Sequence, residues 1–219
     1  MRINEHVFRE KSDGTLELVG DFEELYRSCS DPWEQSGGGN DAMAAYYKHS
    51  RHRLATVLKR VMATRAGPVL EVGCGHGHVV DYLSRELPYA TVEGIDVSAS
   101  AIEGARKRYP MRRFQRQDIR VDWTPHGNHR VIILNQVLWY ILDGLKQSLT
   151  CCYNHTEDSG YLVVSQGFPK ERQRYAPSVD FNGFLSIMLE HGRWQLVGAE
   201  YDASSSYKNH DGILVFLRK

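Results

Sequence analysis

From Pro68 onward, short apolar runs alternate with helix-patterned stretches, and this alternation leaves few architectures open to the chain. PVLEVG reads as a strand, His78 to Glu86 as a helix, and TVEGID as a second strand. Ser98 to Arg108 predicts another helix, RRFQRQDI a third strand and RVIILN a fourth. A helix over Asp143 to Tyr153 precedes a strand at Tyr161 to Ser165. Residues 180–191 read as helical, and WQLVGAEY and GILVFL as the last two strands. The order implies an α/β sandwich in which helices cover a mostly parallel sheet, with the terminal strand pair forming an antiparallel hairpin at its end.

Ahead of this region, DAMAAYYKHSRHRLATVLKRVM predicts a helix with Leu54, Val57, Leu58 and Val61 on one stripe. SCSDPWEQSGGGND, with its proline and glycine triplet, predicts a loop or lid. The expected organisation is an N-terminal extension and entrance lid over 1–40, then one domain over 41–219. At 219 residues the chain can bury a substantial core. Its formal net charge of zero argues against a nucleic-acid-coating protein. The run of Arg106, Lys107, Arg108, Arg112, Arg113, Arg116 and Arg120 is read as a solvated face. Four cysteines without metal spacing suit buried thiols better than a disulfide framework. No signal-like or membrane-spanning apolar run is present, so a cytoplasmic location is expected. His49 and His52 lack the i,i+4 spacing of a helical metal pair, and no metal site is expected.

The chemistry concentrates in EVGCGHG. Gly73, Gly75 and Gly77 follow a strand, where a turn without side chains admits a bound nucleotide-like group. His78 stands where a dinucleotide fingerprint places its last glycine, and no P-loop Lys-Ser/Thr pair follows. Asp96 ends the next strand 23 residues after Gly73, where a carboxylate can accept hydrogen bonds from both hydroxyls of a ribose.

EVGCGHG, taken with these acidic strand ends, resembles the first motif of class I S-adenosylmethionine-dependent methyltransferases. The resemblance covers roughly residues 40 to 219. It implies a three-layer sandwich around a mostly parallel seven-stranded sheet with a reversed terminal strand, and S-adenosyl-L-methionine as cofactor. By the same resemblance, Glu71 organises the loop and the methionine end of the cofactor, the three glycines lie beside it, and Asp96 takes its ribose. Asp118 matches the acid near the adenine amino group, with capping or surface hydration as its other reading. VIILNQVLWYIL resembles the stretch beneath the transferable methyl, which places Asn135 against cofactor and acceptor, Gln136 against the acceptor, and Trp139 and Tyr140 in the next wall.

Asp31-Pro32-Trp33 and VLWYI further resemble nodulation-factor N-methyltransferases, which implies a small amine acceptor such as an amino sugar or nucleotide sugar. Tyr46, Asn135 and Gln136 are the positioning candidates. Trp33, Tyr47, Trp139, Tyr140, Gln166 and Tyr175 are the substrate-binding candidates, with Gln166, Arg172, Arg174 and Tyr175 in an expected flexible polar segment. Interhelical packing is the other reading of Tyr46 and Tyr47, and anchoring of the N-terminal extension that of Trp33. His210 and Asp211 either reach the same rim or form a hairpin turn. Small-molecule O-methylation and a noncatalytic adenosine-derivative-binding module stand as alternative functions.

Overall fold

The structure, a computed structural model, describes residues 5–36, 41–121, 127–169, 180–202 and 209–219. Strands β1 (Phe8–Glu10) and β2 (Leu16–Leu18) form a small hairpin, followed by helices α1 (Phe22–Ser28) and α2 (Asp41–Val61). Next come β3 (Val69–Val72), α3 (His78–Glu86), β4 (Val92–Asp96), α4 (Ala99–Arg108), β5 (Arg113–Arg116) and β6 (His129–Asn135). After the short α5 (Leu138–Ile141) and a single 3₁₀ turn come α6 (Leu145–Asn154), β7 (Thr156–Pro169), α7 (Phe181–His191), β8 (Trp194–Asp202) and β9 (Asn209–Arg218).

The large sheet has seven strands in the order β5-β4-β3-β6-β7-β9-β8. β5, β4, β3, β6 and β7 pair in parallel, and β9 runs antiparallel to both β7 and β8. The reversed strand and the terminal hairpin are those expected from the sequence. Parallel strands buried on both faces need apolar residues at successive positions, and Val69, Leu70 and Val72 of β3 and Val131 to Leu134 of β6 supply them, with buried Glu71 the exception. Leu70, Val72, Ile132 and Leu134 face α5, α6 and α7. Val69, Val131 and Ile133 face α2, α3 and α4, where Leu54, Val57 and Leu58 form the buried stripe of α2. One sheet between two helical layers results.

Local signals set the helix ends. Ser98 caps α4 by accepting the Ala101 amide, and Asp180 caps α7 by accepting the Gly183 amide. Gly192 closes α7 at φ 74°, a left-handed conformation that suits glycine.

Three expectations change. The N-terminal extension contains β1, β2 and α1 where the sequence pattern showed no elements. These are short, and their order depends on docking rather than on repeated periodicity. β7 continues to Pro169, so Gln166 lies in a strand and not in a flexible segment, because β9 pairs with it through Gln166↔Gly212 and beyond. The arginine run is not simply solvated. Arg106 donates to the Phe114 carbonyl, Arg112 to Asp81, Arg116 to the Val97 carbonyl and Arg120 to Asp118, tying α3, α4 and β5 together.

Among the described residues, no helix is long and apolar enough to cross a membrane. Leu58 is 0% exposed and Leu189 is 60% exposed. Leu58→Ala should therefore lower unfolding free energy by about 2–5 kcal/mol in urea titrations, whereas Leu189→Ala should change it by less than about 0.5 kcal/mol.

Candidate cofactor and acceptor site

The chain order of strands turns back between β3 and β6. β4 and β5 are added on one side and β7 and its partners on the other, which opens a crevice at the carboxyl ends of β3 and β6. The glycine turn and Asn135 sit at that crevice. Gly73 and Gly75 have φ of 71° and 51°, the left-handed region. A Cβ on Gly73 would stand 2.3 Å from Val137 Cγ1, and one on Gly75 2.5 Å from the Tyr26 hydroxyl. Both positions therefore exclude side chains by conformation and by space. His78 opens α3 with its ring held between Tyr109 and Arg108, each at 2.9 Å. This ring fills the place where a dinucleotide-binding helix would pack a glycine against its strand.

Glu71 is buried near the end of β3, and Oε1 accepts a hydrogen bond from Asn135 Nδ2 at 3.2 Å. Its Oε2, Asn135 Oδ1 and Arg51 Nε are buried without a hydrogen-bond partner among the described residues. Burial raises the Glu71 pKa to about 8, against the pull of the Asn135 amide and the Arg51 guanidinium. Arg51 comes from α2, lies 5.6 Å over the Tyr47 ring and donates to the Gln35 carbonyl. The Arg51 pKa is lowered by burial, an effect that the Glu71 carboxyl opposes. Buried polar atoms of this kind are uncommon without a ligand or water to satisfy them.

On the other side of the turn, Asp96 accepts the Gly75 amide at 2.8 Å and the Ser98 amide at 2.9 Å. Burial raises its pKa to about 6, opposed by those amides. A carboxylate has about four lone-pair sites, so two amides leave capacity for a diol. Above the turn, the Tyr26 hydroxyl receives the Trp33 indole N–H at 2.8 Å, and Trp33 packs on Tyr140 at 5.8 Å. Tyr140 also meets Phe22 edge-on at 5.1 Å. Glu23 bonds to the hydroxyls of Ser98 and Ser100, docking α1 on the start of α4.

The candidate acceptor side centres on Gln136. Its φ of 57° is rare for a residue with a side chain and is held in place by surrounding bonds. Oε1 accepts from the Gly167 amide at 2.9 Å and from Gln166 Nε2 at 3.2 Å, while Nε2 donates to the Tyr46 hydroxyl at 3.2 Å. Tyr46 in turn donates to Asp211 at 3.0 Å. Gln166 is buried and also accepts the Leu138 amide, so both ends of its side chain support α5 and Gln136.

The crevice thus brings together Tyr46, Tyr47, Glu71, the glycine turn, Asp96, Asn135 and Gln136, with Trp33 and Tyr140 at its cover. Trp139 is partly buried beside Tyr140. Asp118 lies beyond the end of β5, its carboxylate paired in two-point fashion with Arg120 at 3.0 and 2.8 Å. Tyr175, Arg172 and Arg174 lie outside the described residues, as does the His210 side chain. His49 faces Asp202 at 3.5 Å on the exposed side of α2. Sequence reasoning missed Arg51, Tyr26 and Glu23. Arg51 follows Tyr47 by one helical turn, a detectable spacing, but nothing in the sequence distinguishes it from the other α2 cations.

Residues 42–200 match the model of a family described as a methyltransferase domain, which is more than half of the chain. The chain belongs to the methyltransferase domain family. Trans-aconitate 2-methyltransferase of Rhodopseudomonas palustris is 31% identical over 108 residues, covering 49% of this chain and 41% of that protein. The Paracidovorax citrulli protein of the same name is 37% identical over 87 residues, covering 39% and 33%. The chain thus spans less than half the length of these curated relatives. N-methyltransferase NodS from Bradyrhizobium japonicum, solved with S-adenosylhomocysteine, superposes with a TM-score of 0.64 at 18% identity, covering 90% of this chain and 97% of that one. CalS10, an amino pentose methyltransferase from Micromonospora echinaspora, superposes at 0.62 and 16% identity, covering 82% and 97%. These likenesses are of fold.

S-adenosylmethionine is the cofactor that this family membership brings. The residues present fit it. The unpaired oxygens of Glu71 and Asn135 suit its ammonium, the Arg51 guanidinium suits its carboxylate, and Asp96 suits its ribose diol.

The sign of the Glu71 linkage follows from its pKa of about 8 against an ordinary 4.5. The folded chain holds more protons than the unfolded one across that interval, so stability should fall as pH rises through it. Glu71→Gln should flatten that fall in urea titrations. At neutral pH, S-adenosylhomocysteine should drive a proton off Glu71, read as a calorimetric enthalpy that varies with buffer ionisation enthalpy; the variant should lose this dependence.

Proposed function

We propose that the protein transfers a methyl group from S-adenosylmethionine to the amine of a small metabolite, with an amino sugar or related compound favoured. The observation that carries the reading is the set of unpaired buried polar atoms on Arg51, Glu71 and Asn135 beside a turn that excludes side chains. One zwitterionic ligand satisfies all of them, and a purely structural domain leaves them unexplained.

When bound, the cofactor supplies an electrophilic methyl on a sulfonium sulfur. The residues of the chain then act mainly by placement, and orientation alone contributes several orders of magnitude to such reactions. Glu71 and Asn135 hold the ammonium, Arg51 the carboxylate, and Asp96 the ribose. Gln136, fixed by Gly167 and Gln166, holds Tyr46 at the acceptor wall. Burial and the neighbouring Asp211 raise the Tyr46 pKa well above that of an ordinary phenol, so its hydroxyl positions rather than deprotonates at neutral pH. A neutral amine already carries the lone pair it needs, whereas a hydroxyl acceptor needs activation. The wall therefore favours nitrogen. The likeness to NodS and the amino pentose methyltransferase CalS10 agrees with that preference.

Oxygen methylation of a carboxylate is the second reading, and the trans-aconitate relatives favour it through their identity over part of the chain. In either case residues 1–40 act as the entrance cover and residues 41–219 as the transferase domain. Tyr26 and Trp33, which reach the glycine turn and Tyr140, support that division.

An acceptor screen with saturating cofactor, read by the mass of one added methyl group, tests the reaction. Amino sugars and nucleotide sugars should give N-methyl products that fragmentation locates. Binding of S-adenosylhomocysteine without product from any amine, hydroxyl or carboxylate acceptor would favour a noncatalytic module. Trp33→Ala should weaken S-adenosylhomocysteine binding by about two- to tenfold, the worth of one aromatic pair, with unchanged affinity contradicting the cover.

A further inference from the structure

Tyr26 belongs to the N-terminal segment, outside the region that matches the family, yet its hydroxyl stands over the glycine turn. A Cβ on Gly75 would lie 2.5 Å from that oxygen, and the Tyr26 ring meets the His76 ring edge-on at 4.9 Å. Burial raises the Tyr26 pKa well above that of an ordinary phenol, and the Asp96 carboxylate adds to the rise. The hydroxyl therefore keeps its hydrogen, within the field of the carboxylate that accepts the Gly75 amide.

The chain fixes this placement through Ser98. Glu23 precedes Tyr26 by three positions, so the two lie on neighbouring parts of one face of α1. The Glu23 carboxylate accepts the Ser98 hydroxyl at 2.9 Å and also the Ser100 hydroxyl. The Ser98 amide donates to Asp96 Oδ1 at 2.9 Å. One residue thus ties Asp96 by its backbone and α1 by its side chain.

Hydrogen counting gives Tyr26 a direction. The Trp33 indole N–H lies 2.8 Å from the Tyr26 oxygen, and an indole can only donate. Tyr26 is the acceptor in that bond, and its own hydrogen has no acceptor among the described residues. A phenol that accepts one bond is polarised into a better donor of its own hydrogen. Tyr26 and Asp96 both adjoin Gly75, one offering a hydrogen and the other lone pairs. A hydroxyl group, which accepts one hydrogen and gives another, complements that combination.

We propose that Tyr26 donates a hydrogen bond to a ribose hydroxyl of the cofactor whose own hydrogen goes to Asp96, so that the N-terminal segment forms part of the cofactor site. Glu23 is the positioning residue that holds Tyr26 there. The inference rests on the placement of the ribose at Asp96 and adds the donor that reads it from a separate segment of the chain. A ligand without that hydroxyl forfeits both bonds and leaves the Tyr26 hydrogen unpaired.

Calorimetric titration of S-adenosylhomocysteine and of its 2′-deoxyribose and 3′-deoxyribose analogues tests this, on wild type, Tyr26→Phe, Glu23→Ala and the double variant. The pH is held above the Asp96 pKa of about 6. Tyr26→Phe should weaken S-adenosylhomocysteine binding by about three- to tenfold, the scale of one neutral hydrogen bond. On the analogue that lacks the hydroxyl Tyr26 reaches, the same substitution should change affinity by less than about twofold. That retained affinity also reports a folded variant. Glu23→Ala should show the same ligand pattern, and the double variant should be no worse than Tyr26→Phe, because both changes act on one contact.

Losses of equal size on all three ligands would make Tyr26 a packing residue and overturn the inference. Unchanged S-adenosylhomocysteine affinity in Tyr26→Phe would overturn it as well, and additive losses in the double variant would remove the role of Glu23. Wild type that binds both analogues as tightly as S-adenosylhomocysteine would instead remove the placement of the ribose at Asp96 on which the inference rests.

Discussion

A carboxyl group buried near the end of a central parallel strand organises everything else in this molecule. Glu71 occupies a position whose neighbours along and across the sheet are apolar, and its burial opposes ionisation strongly enough to move its pKa to about 8. Taking a carboxylate out of water costs several kcal/mol unless partners compensate. Asn135 and Arg51 compensate in part, and both come from elements that the sheet order brings to the same crevice. The remaining deficit suits a cationic group, and the ammonium of the family's cofactor is such a group. A site that is incompletely satisfied on its own is one that binding completes.

The crevice has two halves with different chemistry. On the proposed cofactor half, charged and amide groups gather at a turn where Gly73 and Gly75 leave no room for side chains. On the proposed acceptor half, a chain of hydrogen bonds runs from Gly167 and Gln166 through Gln136 to Tyr46 and Asp211. The strained backbone of Gln136 joins the halves, since the same turn that aims its side chain at Tyr46 follows directly on Asn135. Asparagine and glutamine at consecutive positions thus bond to different partners, Asn135 to Glu71 and Gln136 to Tyr46, and a shift of one residue there would disturb both.

Much of the architecture is legible in the sequence because its signals are local and repeated. VLEV, apolar but for Glu71, and the run VIIL announce doubly buried strands, and the stripe of Leu54, Val57 and Leu58 announces one face of α2. Glu71 and Asp96 can be placed because one lies next to the end of a strand and the other ends one, each beside a recognisable turn. The N-terminal elements are not legible in the same way. β1 and β2 have three residues each and α1 seven, too few for a period to stand out, and α1 is secured by Glu23 reaching Ser98 and Ser100 more than seventy positions away.

Arg51 illustrates the same boundary at the level of a single side chain. On α2 it is one cation among several, and only the folded helix shows that it turns inward toward Glu71, stacked on Tyr47. The segment around Gln166 is a strand instead of a flexible stretch for a related reason: the partner that extends β7 to Pro169 is β9, at the far end of the chain. The most direct test is a crystal structure with S-adenosylhomocysteine bound. The account predicts its ammonium within hydrogen-bonding distance of Glu71 and Asn135, its carboxylate at Arg51 and its ribose hydroxyls on Asp96. A ligand seated elsewhere, with Glu71 Oε2 still unpaired, would contradict it.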